Sequence, residues 1–322
     1  MHLSLRNLGY IVATAELGSV TDAARTLNVS QPTISAAIAH AEADLGAQMF
    51  VRHHARGMTL TVAGRRVVNE ARLLLSHARD FQRSMQSLGE GATGEIAVGS
   101  FMTLATRFMP ALLSGFSQSV PGITVNLEEG NQQDIVEGLL SGRLELALSY
   151  AYALPDEVMG ERLTELPPYV LVAGDHPLAG RDSVSLRELA NEPFILLDLP
   201  HSREYFFNLF LTCKIEPRVV YRSRSYELIR GLVGHGHGFT IHNAVPGTTV
   251  GYDGSKIAVL PIREALPPVH VMSLRLRRQT MRPAVKTFAD YMREAFLPGG
   301  LLHQPSTARN SPAKAGRPGR AR

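Results

Sequence analysis

The chain has 322 residues, of which 44% are hydrophobic and 19% charged, with one cysteine and a formal net charge of +4. That length suits two or three modest domains; no run reaches the 18 apolar residues of a membrane-spanning helix, and a lone Cys213 excludes an internal disulfide framework and any multi-cysteine zinc or iron–sulfur site. Five basic residues and no acidic ones fall within 301–322, which supplies more than the whole excess of positive charge, so a nucleic-acid reading has to rest on motifs and not on the pI.

Three composition regimes run to about Leu88, over about 94–298 and from about Gly299, and with the motifs below they set domains at 1–60, 61–90 and 91–300, followed by a basic, Pro/Gly/Ser-rich tail at 301–322 that reads as disordered. The stretch to Leu17 is broken by Arg6, Asn7 and Glu16 and has no signal-peptide pattern, which suggests a cytoplasmic location. Leu5, Leu8, Ile11, Val12 and Ala15 recur at helical spacing and predict a first helix near 3–17, ended by Gly18. Thr21 is expected to cap a second helix over 22–27, and Ser30 a third that runs to about Leu45 with Pro32 in its first turn. Ala23, Ala24, Leu27, Val29, Ile34, Ile38 and Leu45 are the expected inward face. This is a helix-turn-helix layout, which presents the start of its second helix to the major groove. Those residues are Ser30, Gln31, Pro32, Thr33 and Ser35; the Gln31 amide suits adenine and the Thr33 methyl suits thymine. Residues 49–52 and 58–60 then read as the strands of a wing, which places Arg52 and Arg56 for phosphate or minor-groove contact.

Gly18-Ser-Val-Thr-Asp-Ala-Ala24, Leu27-Asn-Val-Ser-Gln-Pro32, Glu42-Ala-Asp-Leu-Gly46 and Met49-Phe-Val-Arg52 through Leu60-Thr-Val-Ala-Gly64 occur in the order and spacing of one family. At these residues the chain resembles the LysR-type transcriptional regulators. The resemblance implies an α/β multidomain chain to about residue 298: a winged helix-turn-helix head, a linker helix and a two-lobed effector domain like the periplasmic binding proteins. It also implies a dimer that assembles to a tetramer. Family members usually carry a basic residue after the position of Ser35, whereas here the helix continues Ala36-Ala-Ile-Ala-His40. Phosphate anchoring therefore falls on Arg52, Arg56 and Arg65. The weaker reading of the head is a three-helix protein-interaction module.

Thr61 can cap a long helix to about Leu88, in which Val67, Ala71, Leu74, Ala78, Phe81, Met85 and Leu88 repeat at spacings of four and three. That heptad seam predicts a coiled coil between two copies, with a single helix packed on its own domain as the alternative.

Beyond Gly94 the pattern alternates strand and helix: strands at 95–100, 123–129 and 144–150 with helices at 104–116 and 132–140, then strands at 169–173, 194–197, 218–222 and 239–242 with helices near 201–212 and 225–234. A strand at 269–274 and a helix at 282–296 return to the first lobe. The order β-α-β-α-β predicts parallel, doubly wound sheets, with lobe 1 at about 91–163 and 267–300 and lobe 2 at about 164–266. Ligands of open α/β sheets bind beyond the carboxyl ends of strands. That rule selects Ser100, Phe101, Thr103, Asn131 and Tyr150 in lobe 1, and His201, Ser202, Arg203, Tyr226 and Asn243 in lobe 2, with His242 and Arg224 beside them. Hydroxyls, an amide, aromatic faces and one or two guanidiniums suit a small anion with some apolar surface.

Rival chemistry is weak. His235, His237 and His242 cluster in sequence but lie among glycines without an acid or cysteine nearby, so they read as loop histidines and no metal or other cofactor is expected. No nucleophile elbow, P-loop or His-Glu-x-x-His is present, so an enzyme is not expected. Cys213 sits in an apolar helical stretch and reads as a packed small residue. The expected partners are double-stranded DNA, a small-molecule effector, further copies of the chain and RNA polymerase, with no membrane. The alternative is a constitutive architectural DNA-binding protein whose α/β region only oligomerises.

Overall fold

A computed structural model describes residues 3–53, 57–86 and 93–303, leaving aside the side chains of residue 80 and of 83–86. Arg56, Leu88 and the tail from 304 lie outside the described residues, as does the side chain of Met85.

The head is built from α1 (Leu5–Leu17), α2 (Val20–Thr26), α3 (Gln31–Leu45) and the antiparallel wing strands β1 (Phe50–His53) and β2 (Gly57–Leu60). Each helix has a local start and stop. Ser4 accepts from Asn7 N at 3.2 Å, and Gly18 ends α1 in the left-handed region at φ +61°. The cap of α2 is Ser19, which accepts from Asp22 N at 3.2 Å, and not Thr21; the helix begins two residues earlier than expected. Ser30 caps α3 through Thr33 N, and Gly46 ends it at φ +63°. Ile34, Ala37, Ile38 and Ala41 form the buried stripe of α3, packed on Ile11, Val20, Ala23 and Ala24. Leu27 and Leu45, expected inside, are each 37% exposed, because they fall at the helix ends where the stripe has already turned outward. Small alanines at the crossing let α2 and α3 approach closely, which is why they replace leucines there.

The Glu42 carboxylate holds the wing: Oε1 accepts from Met49 N at 2.6 Å and from Phe50 N at 3.1 Å. Thr61 donates to Gln48 O at 2.7 Å and accepts from Gly64 N at 2.9 Å, so one hydroxyl ties the wing to the start of α4 (Val62–Gln86). A Cβ at Gly64 would lie 2.0 Å from Met49 O, so only glycine permits this approach. The first half of α4 packs along α1, with Val68 and Ala71 buried.

Lobe 1 contains β3 (Gly94–Phe101), α5 (Met102–Ser119), β4 (Ile123–Gly130), α6 (Gln132–Leu140), β5 (Leu146–Tyr150) and β6 (Val158–Leu166). Lobe 2 contains β7 (Tyr169–Ala173), a 3-10 turn (Leu186–Leu189), β8 (Pro193–Leu197), α7 (Ser202–Thr212), β9 (Arg218–Ser223), α8 (Tyr226–Gly234), β10 (Thr240–His242) and β11 (Ile257–Pro261). The chain returns to lobe 1 as β12 (Val269–Leu276) and α9 (Pro283–Phe296). The first sheet has order β4-β3-β5-β12-β6. In the second lobe β8 and β9 pair in parallel, and β7 lies between β10 and β11. Ile195 N donates to Phe239 O at 2.8 Å and Phe239 N to Pro193 O at 2.9 Å, which joins β8 to the entry of β10. The second lobe thus reads β9-β8-β10-β7-β11, strand for strand the arrangement of the first.

Two expectations are corrected. The sheets are mixed: β3, β4 and β5 are parallel, but β12 runs antiparallel to both β5 and β6, and β7 antiparallel to both β10 and β11. In each lobe the antiparallel strand is the one supplied by a crossover from the other lobe. The outermost strands β6 and β11 were not foreseen. As edge strands they bury few side chains, and β6 (Val-Met-Gly-Glu-Arg-Leu-Thr-Glu-Leu) lacks a clean apolar alternation. Both crossovers carry a leucine followed by two prolines, and at Pro167-Pro168 and Pro267-Pro268 locked φ values and missing N–H groups hold the chain extended without joining either sheet.

β5 is buried along its whole length because α5 and α9 cover one face of its sheet and α6 the other. The folded body also extends into the expected tail: Leu302 is buried in the main core and its N–H donates to Ala295 O at 2.7 Å. Glu145, just before β5, meets Arg282, just before α9, in two 2.6 Å hydrogen bonds; Arg282 also donates to Glu95 O at 2.7 Å. Burial pushes the Glu145 carboxyl up and the Arg282 guanidinium down, so the pair fixes geometry more than it adds stability.

Candidate functional site

Two surfaces carry the chemistry. On the head, Gln31, Pro32 and Thr33 are exposed at the start of α3, while Ser35 is half-buried. Ser30 is exposed, but its hydroxyl accepts from Thr33 N and lies 2.7 Å from Thr33 Oγ1. Its first task is the cap. Ala36, Ala39 and His40 continue the exposed face. These small residues were not singled out, although an alanine can meet a thymine methyl as Thr33 can. Arg52 is exposed on β1, and Arg65, exposed at the start of α4, donates to Leu60 O at 3.0 Å. Arg52 and Arg65 thus flank one wing.

On α4 the expected seam divides. Val67 packs against the head core and Ala71 is buried in the same chain. Leu74 is 50% exposed and Phe81 67% exposed, with Ala78 half-buried between them. Only the second half of the seam is therefore available to another copy, because α1 occupies the first.

The other surface is a cavity between the lobes. Phe101, Thr103, Tyr150 and Tyr152 come from lobe 1, and Leu197, Ser202, Phe206, Tyr226, His242, Asn243 and Ala244 from lobe 2. Six of the ten expected residues meet there: Phe101, Thr103, Tyr150, Ser202, Tyr226 and Asn243. Four do not. Ser100 is fully buried under the end of β3. Asn131 caps α6, accepting from Gln133 N at 2.8 Å and Asp134 N at 3.2 Å. His201 is exposed in the left-handed region at φ +64°. Arg203 pairs with Asp198 at 2.6 Å. Tyr152, Leu197, Phe206 and Ala244 went unforeseen; Tyr152 and Leu197 also sit at strand ends, so the same rule would have reached them.

The expected guanidinium is missing from this lining. The buried Arg230 lies behind Tyr226, its guanidinium carbon 5.8 Å from the ring centre, with Glu227 at 2.6 Å and the carbonyls of Thr248 and Val250 as its partners. What remains for an anion is backbone. α5 and α7 begin at Phe101 and His201, neither of which makes a side-chain cap bond, and their first turns reach the cavity through Thr103 and Ser202. Arg203 N in α7 already donates to Leu199 O at 3.3 Å, but first-turn N–H groups without a side-chain cap, with the helix dipole behind them, favour negative charge.

The walls are largely aromatic. Tyr150 lies 4.9 Å from Phe101 and 5.3 Å from Tyr152 between ring centres, and Tyr226 4.8 Å from His242. Burial pushes the hydroxyls of Tyr150, Tyr152 and Tyr226 above their ordinary range and that of Tyr205 up to about 12, so all stay protonated. Burial, aided by the Arg230 charge, pushes His242 down to about 3, which makes it neutral at pH 7. Tyr169 donates to Ala244 O at 2.5 Å. His242 Nε2 and Tyr226 Oη are both buried without a hydrogen-bond partner.

The cavity touches both crossovers. Asn243 donates to Leu166 O at 3.1 Å and to Tyr205 Oη at 2.8 Å, and Tyr205 donates to Pro267 O at 3.0 Å. It also touches α6, since Gln132 donates to the carbonyls of Tyr150 at 3.2 Å and Tyr152 at 2.9 Å. The enclosed volume is about 20 Å³, room for about one water. An organic effector, which needs a few hundred Å³, enters only if the lobes part.

The histidine cluster disperses. His235 pairs with Asp253 at 3.1 Å, His237 packs its ring on Tyr221, and His242 lies in the cavity. Among the described residues no three metal-binding side chains converge, and no helix is long and apolar enough to cross a membrane. Cys213 is buried at the end of α7, where burial pushes its thiol up.

Comparison with known proteins covers both parts of the chain. Residues 5–65 match the bacterial regulatory helix-turn-helix protein family of lysR type, and residues 89–297 match the LysR substrate binding domain. The crystal structure of HinK, a LysR family transcriptional regulator from Pseudomonas aeruginosa, is 36% identical over 93% of this chain and 99% of its own, with a TM-score of 0.64. A full-length OxyR from the same organism, solved as a single-residue variant, is 25% identical over 91% of this chain and 95% of its own, with a TM-score of 0.70. The transcriptional regulator ClcR of Pseudomonas putida is 29% identical over 90% of this chain and 98% of its own.

Proposed function

The chain belongs to the LysR family of transcriptional regulators, and on that premise we propose that it reads DNA through α3 and the wing and changes its grip when a small acid enters the cleft. The family binds DNA and small-molecule effectors, and the relatives are regulators, not enzymes. None of them supports the architectural alternative. The observation that carries the reading is a cavity lined from both lobes, with two uncapped helix starts facing it and no charged side chain in its walls.

In this mechanism Gln31, Pro32, Thr33 and Ser35 meet base edges, and Ser30 fixes the helix start. Arg52, Arg56 and Arg65 hold phosphates. Leu74, Ala78 and Phe81 bury their apolar face against a second copy, continuing through Met85 and Leu88. Two paired heads read a symmetric site, and pairs of dimers engage RNA polymerase in the cytoplasm. The effector's carboxylate lies between the first turns of α5 and α7, and its body lies among the tyrosines. Parting the lobes strains the two Leu-Pro-Pro crossovers and displaces α6. A ligand that prefers the open form therefore shifts the population of head arrangements.

A thermal-shift screen of organic acids, followed by gel shifts on the chain's own promoter region with any acid that stabilises it, tests this reading. Stabilisation accompanied by altered DNA affinity is expected. Stabilisation by no acid, with unchanged DNA binding, would overturn it.

A further inference from the structure

We propose that the effector carries a hydroxyl on a planar body and that His242, with Tyr226, is the specificity-determining pair that reads it. The inference rests on the cleft reading above and adds the chemistry of the ligand's second end.

The side chain of His242 is 3% exposed and borders the cavity, and its Nε2 has no partner. Leaving a buried polar atom unsatisfied is costly, so its persistence against the cavity points to a group that arrives from outside. Tyr226 Oη, on the ring packed against His242, is the second such atom. The neighbouring Tyr169 hydroxyl, which gives its own O–H to Ala244 O, lies outside hydrogen-bond geometry to it. Of the other polar groups of the lining, two sets already have partners. Thr103 Oγ1 and Tyr150 Oη lie 3.1 Å apart, and Asn243 Nδ2 serves Leu166 O and Tyr205 Oη.

A neutral imidazole presents one N–H and one lone pair, and a phenol can donate or accept. A ligand hydroxyl can likewise do both, so one such group satisfies His242 Nε2 and Tyr226 Oη together, whichever tautomer the ring adopts. Arg230 stands behind this end with its charge already met by Glu227 and its donors turned to two carbonyls, so a carboxylate here would have to compete with Glu227 for it, whereas a hydroxyl would not. The acid end belongs at the starts of α5 and α7, and the rings of Phe101, Tyr150, Tyr152 and Phe206 accept a flat body between the two ends. The ligand class is a hydroxylated aromatic or cyclic unsaturated carboxylic acid.

Calorimetric titration of the full chain with benzoate, 3-hydroxybenzoate, 4-hydroxybenzoate and phenol tests this. At least one hydroxybenzoate is expected to bind tenfold or more tightly than benzoate, and phenol more weakly than either hydroxy acid. His242→Phe should bring the hydroxy acid and benzoate to within about twofold of each other. His242→Gln, which keeps a donor and an acceptor, should restore part of the preference. Retained gel-shift affinity for DNA checks that each variant is folded. The imidazole ¹⁵N shifts of His242 should also move on binding the hydroxy acid and not on binding benzoate. Equal binding of benzoate and both hydroxy acids would overturn the role of His242 while leaving the acid-binding cleft intact. Binding of phenol alone would overturn the acid end, and binding of none of the four would overturn the cleft reading and this inference with it.

Discussion

Arg72 on α4 reaches Glu16 on α1 at 3.3 Å and, with its other nitrogen, donates to Ser141 O at 2.8 Å at the end of α6. One side chain thus joins the head, the linker helix and lobe 1. Asn69, one turn earlier, donates to Leu140 O, and a Cβ at Gly142 (φ +65°) would lie 3.1 Å from Asn69 O. At its other end α6 holds the carbonyls of Tyr150 and Tyr152 through Gln132. A nine-residue helix therefore spans from the cavity wall to the helix that carries the DNA-reading head.

Arg72→Ala should separate stability from communication. The exposed Glu16 loses little, but Ser141 O loses a charged donor, so unfolding in urea should show a loss of about 1–2 kcal/mol. DNA affinity without effector should change less than threefold, whereas the effector's influence on it should shrink. A full effector response in gel shifts would show that α6 and Arg72 are not the route.

Gln31→Ala and Arg52→Ala should differ in kind. Removing the Gln31 amide is expected to cost about 1–3 kcal/mol on the specific site and little on unrelated DNA. Removing Arg52 should weaken both alike and lower the slope of log affinity against log salt by about one. Salt titrations of each variant on specific and random duplexes distinguish the two roles.

Leu74 and Phe81 are half or more exposed on α4, whereas Val68 and Ala71 of the same helix are buried. Leu74→Glu with Phe81→Glu should leave the single chain's melting temperature nearly unchanged, since neither side chain is buried in it. Light scattering should report a shift from dimer or larger assemblies to monomer, with a loss of operator affinity of at least a hundredfold. An unchanged assembly would place the interface elsewhere.

His242 makes stability depend on pH. Its ordinary value of 6.5 falls to about 3 in the folded chain, through burial first and Arg230 second. Between those values the unfolded chain binds a proton that the folded one refuses. Stability contributed here is present above pH 6.5 and is lost as pH falls toward 3, by up to about 1.4 kcal/mol per pH unit. His242→Phe should flatten that part of the curve, measured as urea midpoints from about pH 7 to about pH 4.

What could be read from the sequence is what short-range chemistry specifies. Ser30 and Thr61 cap helices, and Gly18 and Gly46 end them, because a cap needs only its own neighbours. The heptad spacing of α4, the start of α3 and the strand-end rule that found Phe101, Thr103, Tyr150, Ser202, Tyr226 and Asn243 are likewise local patterns. Even the one shifted cap, Ser19 for Thr21, is a choice between neighbouring hydroxyls.

Tertiary structure decided which of those residues meet. α1 covers Ala71 and leaves Leu74 free, although both sit on one heptad seam. Asp198 takes Arg203 away from the cleft, and Glu227 holds Arg230 behind it, so the cation expected there is replaced by two helix starts. His242, one of three histidines close in sequence, goes alone into the cavity, while its neighbours go to Asp253 and Tyr221. The antiparallel strands β7 and β12 enter each lobe from the other, and their partners lie far away along the chain. A chain's periodicity records which face of an element is buried; which element covers that face depends on crossovers, and no local signal carries that information.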